Sequence, residues 1–383
     1  MLQSILVYGF MIIALCLLLQ VRVVTSNGVI RCRYSSDYTL RYSLAIGIFV
    51  FFMAVRWGVG IDHLGYVKDY QSMLNFGFIQ REDMEPGFVW LMKMMAKVGF
   101  HFSIAFGLYA FIQAYCTFSY FKNEKYLLPY LSFLILTGNV FFIWCNIIRH
   151  AIVISVFLLL SRCMMKKRNL LLYLFVIALL SMIHYSALVL IPLYLVFYLD
   201  LEKFYIAEKV QYVLFLGALG LSSLSMWTYL MDYLDIVLSS IGYDRYSADL
   251  LLSIGSREMN FGARRYLFLI VDFVIIASSA SLRETFKSKI FGFSYFLFMV
   301  YYTFMPMFID NMAFSRLIDY FQIGRLLVAS YLLFYLFQYK PVLKNVLLGV
   351  FVVLLFVVHL FIQIYADRGN NMDCVRYEFF WDN

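Results

Sequence analysis

From Asn169 to Leu199 the chain runs for 31 residues without one Asp, Glu, Lys or Arg. As a single helix this run would be about 46 Å long, whereas the hydrocarbon core of a bilayer is about 30 Å thick. Two short spans meeting at His184, the second containing Pro192, fit that thickness better. One steeply tilted helix is the alternative, and it would invert every segment that follows.

Comparable apolar segments recur along the chain, at about 4–24, 40–55, 101–121, 127–146, 148–165, 169–183, 185–199, 210–227, 266–282, 290–308, 318–338 and 345–365. A dozen spans of about 20 residues use roughly 240 positions, which matches a chain of 383 residues that is 63% apolar and 14% charged. A soluble domain carries about 25% charged residues, so that class is excluded, as are disordered and disulfide-stapled chains. The expected fold is all-α: a polytopic membrane protein of about 12 transmembrane helices, with residues 1–383 forming a single membrane domain. The first run, Ser4–Val24, lacks a basic leader and a small-residue cleavage site, so it reads as a retained span. Cysteines 16, 116, 145 and 163 sit in apolar runs as small hydrophobes, and no Cys/His spacing suggests a structural zinc.

The net charge of +8 is scattered over short loops, which argues for topology signals and against nucleic acid. Basic connections at Arg22–Arg41, Lys166–Arg168, Lys203–Lys209, Arg283–Lys289 and Lys340–Lys344 recur on alternate sides. Placing them inside puts both termini outside, together with two sizeable loops at about 56–100 and 228–265. Each loop carries a stretch at helical spacing, Phe88–Val98 and Leu230–Ile241, expected to lie at the interface. Lysine prevails on the inner face of this topology and arginine on the outer. A planar guanidinium grips phosphate or carboxylate in two places, so the outer face suits an anionic ligand. Solvated loop arginines are the plain alternative.

The densest polar cluster is Arg56-Trp57-Gly58-Val59-Gly60-Ile61-Asp62, continuing to Tyr66 and Asp69-Tyr70. Asp62, Tyr66 and Asp69/Tyr70 share a face if a helix starts there, with Arg56 at the membrane edge. A sugar-diphosphate site and a charged collar on an interfacial turn both fit. Asp83-Met84-Glu85 matches an acidic pattern used for divalent metals, but two carboxylates are few ligands for a hard cation. Glu85 before Pro86 is equally an ordinary charge at a helix start. Arg149-His150 opens a span, and His184-Tyr185-Ser186 lies at the junction of two. A histidine there serves as base, acid or donor, or simply caps a helix break. Arg316 and Tyr320 are one turn apart at the entry of a late span, and Arg325 lies about 13 Å deeper. A charge at that depth needs a partner, and Asp272 is the expected one. The pair can be structural or can touch substrate.

Several pieces, in this order, resemble the EpsG family of Wzy-type polysaccharide polymerases. They are Arg56-x3-Gly60-x-Asp62-x3-Tyr66, Glu85-Pro-Gly-Phe88, Ile148-Arg149, His184-x-Ser186 before Leu190-Ile-Pro192, and Ser315-Arg316 leading to Tyr320-Phe321. His150 departs from the polar amide expected of the family, and Tyr243–Tyr246 resembles the outer loop only loosely. The resemblance implies a C-type (GT-C) glycosyltransferase architecture in a bacterial inner membrane. It implies transfer of a growing O-antigen or exopolysaccharide glycan from undecaprenyl diphosphate to a lipid-linked repeat at the outer face. Undecaprenyl-diphosphate-linked oligosaccharides, membrane lipids and a chain-length-regulating co-polymerase are the implied partners. No cofactor and no metal is expected. In this reading Arg149, Arg316 and Arg56 hold the diphosphate, with Arg325 deeper in the span and Tyr66 and Tyr320 beside the sugars. Asp62, or else Glu85 or His184, is the general base for an inverting displacement. A flippase or other transporter is the rival, but it would need charges through the membrane depth and an internal repeat. An acyltransferase or a structural subunit are further alternatives.

Overall fold

The structure, a computed structural model, describes residues 1–26, 29–79, 81, 84–222, 262–308, 312–366 and 375–382. Helix accounts for 79% of it, so the class is all-α. The chain divides into two compact units, Met1–Leu199 with Leu333–Asn383, and Asp200–Leu332.

The first unit starts with α1 (Leu2–Leu19), a hairpin of β1 (Arg22–Ser26) and β2 (Val29–Arg33), and α2 (Tyr38–Val55). The two-residue strand β3 (Arg56–Trp57), α3 (His63–Phe76) and α4 (Pro86–Lys97) then lead to α5 (Phe102–Tyr120). After α6 (Leu128–Thr137) and α7 (Val140–Asn146) come α8 (Ile148–Lys166), α9 (Leu170–Ser181) and a 3-10 segment, Tyr185–Tyr198. Helix α5 packs between α2 and α8, and α1 between α2 and α6. Small residues let the first pair close, because Gly107 faces Ala54 and Val50.

The second unit holds α10 (Glu208–Ser222), α11 (Gly262–Ala277), α12 (Ser279–Thr285), α13 (Lys289–Phe308) and α14 (Met312–Phe334). Two glycines set its packing. A Cβ on Gly292 would sit 1.8 Å from the Leu201 carbonyl oxygen, and one on Gly324 would sit 2.4 Å from Phe298 N. A π-helical turn (Tyr335–Tyr339), α15 (Leu343–Ala366) and β4 (Glu378–Phe379) return the chain to the first unit.

Among the described residues, seven helices are long and apolar enough to span a membrane, or up to nine if each bent pair is one span. The expected count was about twelve. One apolar run, 127–146, breaks at Gly138-Asn139, where Asn139 has φ +72°, and α6 and α7 meet at 60°. The run at 266–282 bends by 55° between α11 and α12. The long run Asn169–Leu199 is indeed two short elements broken before His184. Helix α4 corresponds to the expected stretch Phe88–Val98, whereas Leu230–Ile241 and most of the loop 228–265 lie outside the described residues.

Residues 375–382 fold back onto the first unit. Tyr377 N donates to Ser4 Oγ at 2.9 Å and its hydroxyl to Phe52 O at 2.7 Å, while Tyr8 donates to Val375 O at 2.6 Å. Strand β4 pairs antiparallel with β3, Arg56 opposite Phe379 and Trp57 opposite Glu378. Residues 375–379 and the start of α1 therefore meet at the end of α2 that carries Arg56. The β1–β2 hairpin lies at the other end of that helix, about 27 Å away by helix rise.

Candidate functional site

Helix α4 begins at Pro86, whose fixed φ suits the first helical position, and Glu85 precedes it in extended conformation. The start of α4 presses on the end of α9. Gly87 N donates to Met182 O at 2.8 Å, and a Cβ on Gly87 would lie 2.8 Å from Met182. That approach brings Glu85 to His184, which sits in extended backbone between α9 and the 3-10 segment. Glu85 Oε1 meets His184 Nδ1 at 2.7 Å and accepts from Tyr185 N at 3.3 Å. Its Oε2 accepts from Nη1 of Arg149, in the first turn of α8, whose Nε donates to Tyr66 Oη at 3.3 Å. The Glu85 side chain is 4% exposed, against 18% for Arg149 and 26% for His184. The carboxylate is thus the buried member, and the guanidinium and imidazole reach solvent.

Burial alone would raise the Glu85 pKa, but the His184 hydrogen bond and the Arg149 charge outweigh it and hold it below the ordinary 4.5. A carboxyl lowered by folding contributes stability that is full above its unfolded value and is lost as pH falls through the folded one. The unfolding-temperature gap between wild type and Glu85→Gln should therefore be constant above about pH 5 and shrink in stronger acid. A gap that widened on acidification would contradict the assignment.

A second guanidinium shares Tyr66. Arg81 pairs with Asp69 at 2.8 Å and lies across α3, with Cζ 5.6 Å from the Tyr66 ring centroid. The room comes from Gly65, where a Cβ would stand 2.8 Å from Arg81 Nη2. Arg149 Cζ is 5.9 Å from the same centroid. Two arginines lie within cation–π range of one phenol, each paired with its own carboxylate.

The turn into α3 is fixed by contact with α7. Gly58 and Gly60 have φ of +66° and +92°, and Asp62 N donates to Asn146 Oδ1 at 2.8 Å. A Cβ on Gly60 would lie 2.8 Å from the Asn146 backbone. Gly60→Ala should cost about 1–2 kcal/mol from the left-handed backbone alone, and more from the clash. Thermal unfolding in detergent reads the loss; an unchanged midpoint would refute the close approach.

Among the expected site residues, Arg56 is placed differently. Arg56 was expected at the membrane edge, but it is 1% exposed and donates to the carbonyls of Met53 and Cys145. Those carbonyls end α2 and α7, and the negative ends of two helices provide for the charge. Tyr66 and Tyr320 are buried, at 2% and 1% exposed. His63, next to Asp62, is buried, and burial with the Arg56 charge pushes its pKa down to about 2, so it stays neutral. Asp62 itself is half-buried and close to Tyr66. In the second unit Arg316 is exposed and Tyr320 buried, while Arg325 donates from Nε and Nη2 to both oxygens of Asp272 at 2.6 Å. The rings of Phe268 and Tyr301 flank that guanidinium at 4.7 and 4.6 Å. Asp83 and Tyr243–Tyr246 lie outside the described residues.

Residues 39–379, nearly the whole chain, match the EpsG family profile. The chain belongs to the EpsG family. Members of that family are Wzy-type polymerase-like. The match spans all of the Glu85–Arg149–His184 cluster and Arg81 of this EpsG-family chain. No curated protein and no solved structure matches the chain significantly. Sequence reasoning missed Arg81 and Asn146. Their only local signals were Gly65, one turn before Asp69, and an amide three residues ahead of Arg149.

Proposed function

We propose that this EpsG-family protein is a polysaccharide polymerase that transfers a growing glycan from undecaprenyl diphosphate to a lipid-linked repeat at the outer face of a bacterial inner membrane. Family membership suggests the polymerase class. The observation that carries the chemistry is one buried carboxylate, Glu85, holding both Arg149 and His184.

Arg149 binds the leaving diphosphate, and its fork neutralises charge as the anomeric C–O bond breaks. Nη2 of Arg149 makes no hydrogen bond among the described residues and is the group offered to phosphate. Glu85 accepts from His184 Nδ1–H, which fixes the tautomer with a lone pair on Nε2. Nε2 takes the proton of the acceptor hydroxyl as that oxygen attacks the anomeric carbon, and the configuration inverts. Glu85 is then a positioning residue, with a lowered pKa that makes it a poor base itself. Asp62, half-buried one turn before Tyr66, is the second candidate base. Arg316, an exposed arginine of the second unit, is a further candidate for binding an anion.

A host lacking its polymerase should regain a ladder of long glycan with this protein, and Arg149→Ala should leave single repeats at normal membrane levels. A full ladder from Arg149→Ala would sink the assignment. Purified protein that lost activity in chelator would shift the diphosphate's counter-charge from Arg149 to a metal. A flippase is set apart by the same strain: it would restore export of single repeats without lengthening them.

A further inference from the structure

We propose that the β1–β2 hairpin is a binding site for anionic phospholipid headgroups. It joins Leu19 to Tyr38, the ends of two membrane-spanning helices, so it stays at a membrane surface. The register sets Arg22 opposite Arg33 and Val24 opposite Arg31. Side chains two apart on a strand, and register partners across it, share one face. Arg22, Arg31 and Arg33 therefore form a single cationic face, and all three are exposed. The opposite face carries Val23 and Cys32, both half-buried.

Like charges directly opposite on a strand pair repel. None of the three arginines makes an ion pair among the described residues. Asp37 accepts from Ser35 and feels the Arg41 charge, and Glu124 lies close enough to Cys32, on the other face, to act on its thiol. The neighbouring cations are engaged. Arg41 donates to Leu17 O and Gln20 O at 2.8 and 2.9 Å, closing the end of α1. Lys125 sits among the rings of Tyr34, Tyr38 and Tyr42, at 5.1, 4.8 and 5.9 Å. The root of the hairpin is thus fixed from both sides, while the three guanidinium groups on its face have no carboxylate partner among the described residues.

Their spacing suits phosphate. Cross-strand partners stand about 4.5–5.5 Å apart at Cα, and the next residue on the same face is about 7 Å along the strand. Each guanidinium grips a phosphate oxygen pair through two parallel N–H bonds, which an ammonium does not. A headgroup with two phosphates, or two neighbouring phosphatidylglycerols, spans that face. Confinement to the membrane surface favours the lipid over free phosphate.

The test compares the full-length protein with Arg22→Gln/Arg31→Gln/Arg33→Gln in mixed micelles of phosphatidylglycerol and phosphatidylcholine, and counts retained lipid by mass spectrometry. Wild type should retain phosphatidylglycerol about tenfold or more over phosphatidylcholine, with slower amide exchange at 22–33 in that lipid only. The triple variant should lose both. Equal retention by the two proteins, or hairpin exchange indifferent to lipid, would overturn the proposal. Should the glutamine variant fail to fold, the matching lysine triple keeps charge and topology while removing the fork, and its retention should fall below wild type. A lysine triple equal to wild type would overturn the guanidinium site. Inorganic phosphate added as competitor should not release the lipid, and release would assign the site to free phosphate instead.

Discussion

Glu85→Gln is expected to stop glycan elongation while leaving the protein in the membrane. The substitution keeps the shape of the side chain and removes only its charge, yet that charge has three partners: Arg149, His184 and Tyr185 N. Glutamine offers a single carbonyl oxygen, so one of the two side chains loses its acceptor. Loss of an oriented base or of one preorganised charge typically costs about 10²–10³ in turnover, and here both are affected. Turnover of a lipid-linked repeat by purified protein should fall by at least about a hundredfold. His184→Gln should lower kcat with little change in KM, because a base acts on the reacting proton only. Arg149→Ala should affect both constants, because a diphosphate ligand binds ground state and transition state alike. Normal ladders from Glu85→Gln at wild-type abundance would end the assignment of this cluster.

The second large effect lies in the other unit. Asp272→Ala should destabilise by about 3–5 kcal/mol, because it leaves the Arg325 charge buried and unpaired. Arg325→Ala should do the same from the other side, since both groups are nearly inaccessible, at 5% for Arg325 and 1% for Asp272. The combination Asp272→Leu/Arg325→Met should regain most of the loss, as apolar replacements of buried pairs generally do. Thermal unfolding in detergent reads the stability, and the glycan ladder reads the function. A stable double variant that still fails to make a ladder would give the pair a role beyond packing. A charge swap should recover less, because Phe268 and Tyr301 flank the guanidinium where it now stands.

What the sequence revealed depended on whether the deciding contact was local. The break before His184 could be read because 31 apolar residues exceed the membrane's thickness as one helix. Asp272 could be named for Arg325 because a charge that deep needs a partner. The break at Gly138-Asn139 was hidden in an unbroken apolar run, and only the left-handed backbone of Asn139 marks it. Arg56 looked like a phosphate ligand because it follows a span, but two helix ends that meet in space take it inward. Glu85, Arg149 and His184 were each singled out, yet nothing in their separations of 64 and 99 residues joins them. Their meeting comes from the glycine contact between α4 and α9. Arg81 went unnoticed because its partners, Asp69 and the Tyr66 ring, lie on a helix that the loop reaches only by folding back.

The return of residues 375–382 to β3 and the start of α1 also constrains how the molecule is made. Those residues leave the ribosome after every described span, and they must cross to the end of the bundle where Tyr377 joins Ser4 to Phe52. Until they arrive, Arg56 and Trp57 have no strand partner and the first turn of α1 lacks its closing hydrogen bonds. The Arg56 end of the first unit is therefore completed only after its helices have been made, by the return of residues 375–382 to β3 and α1.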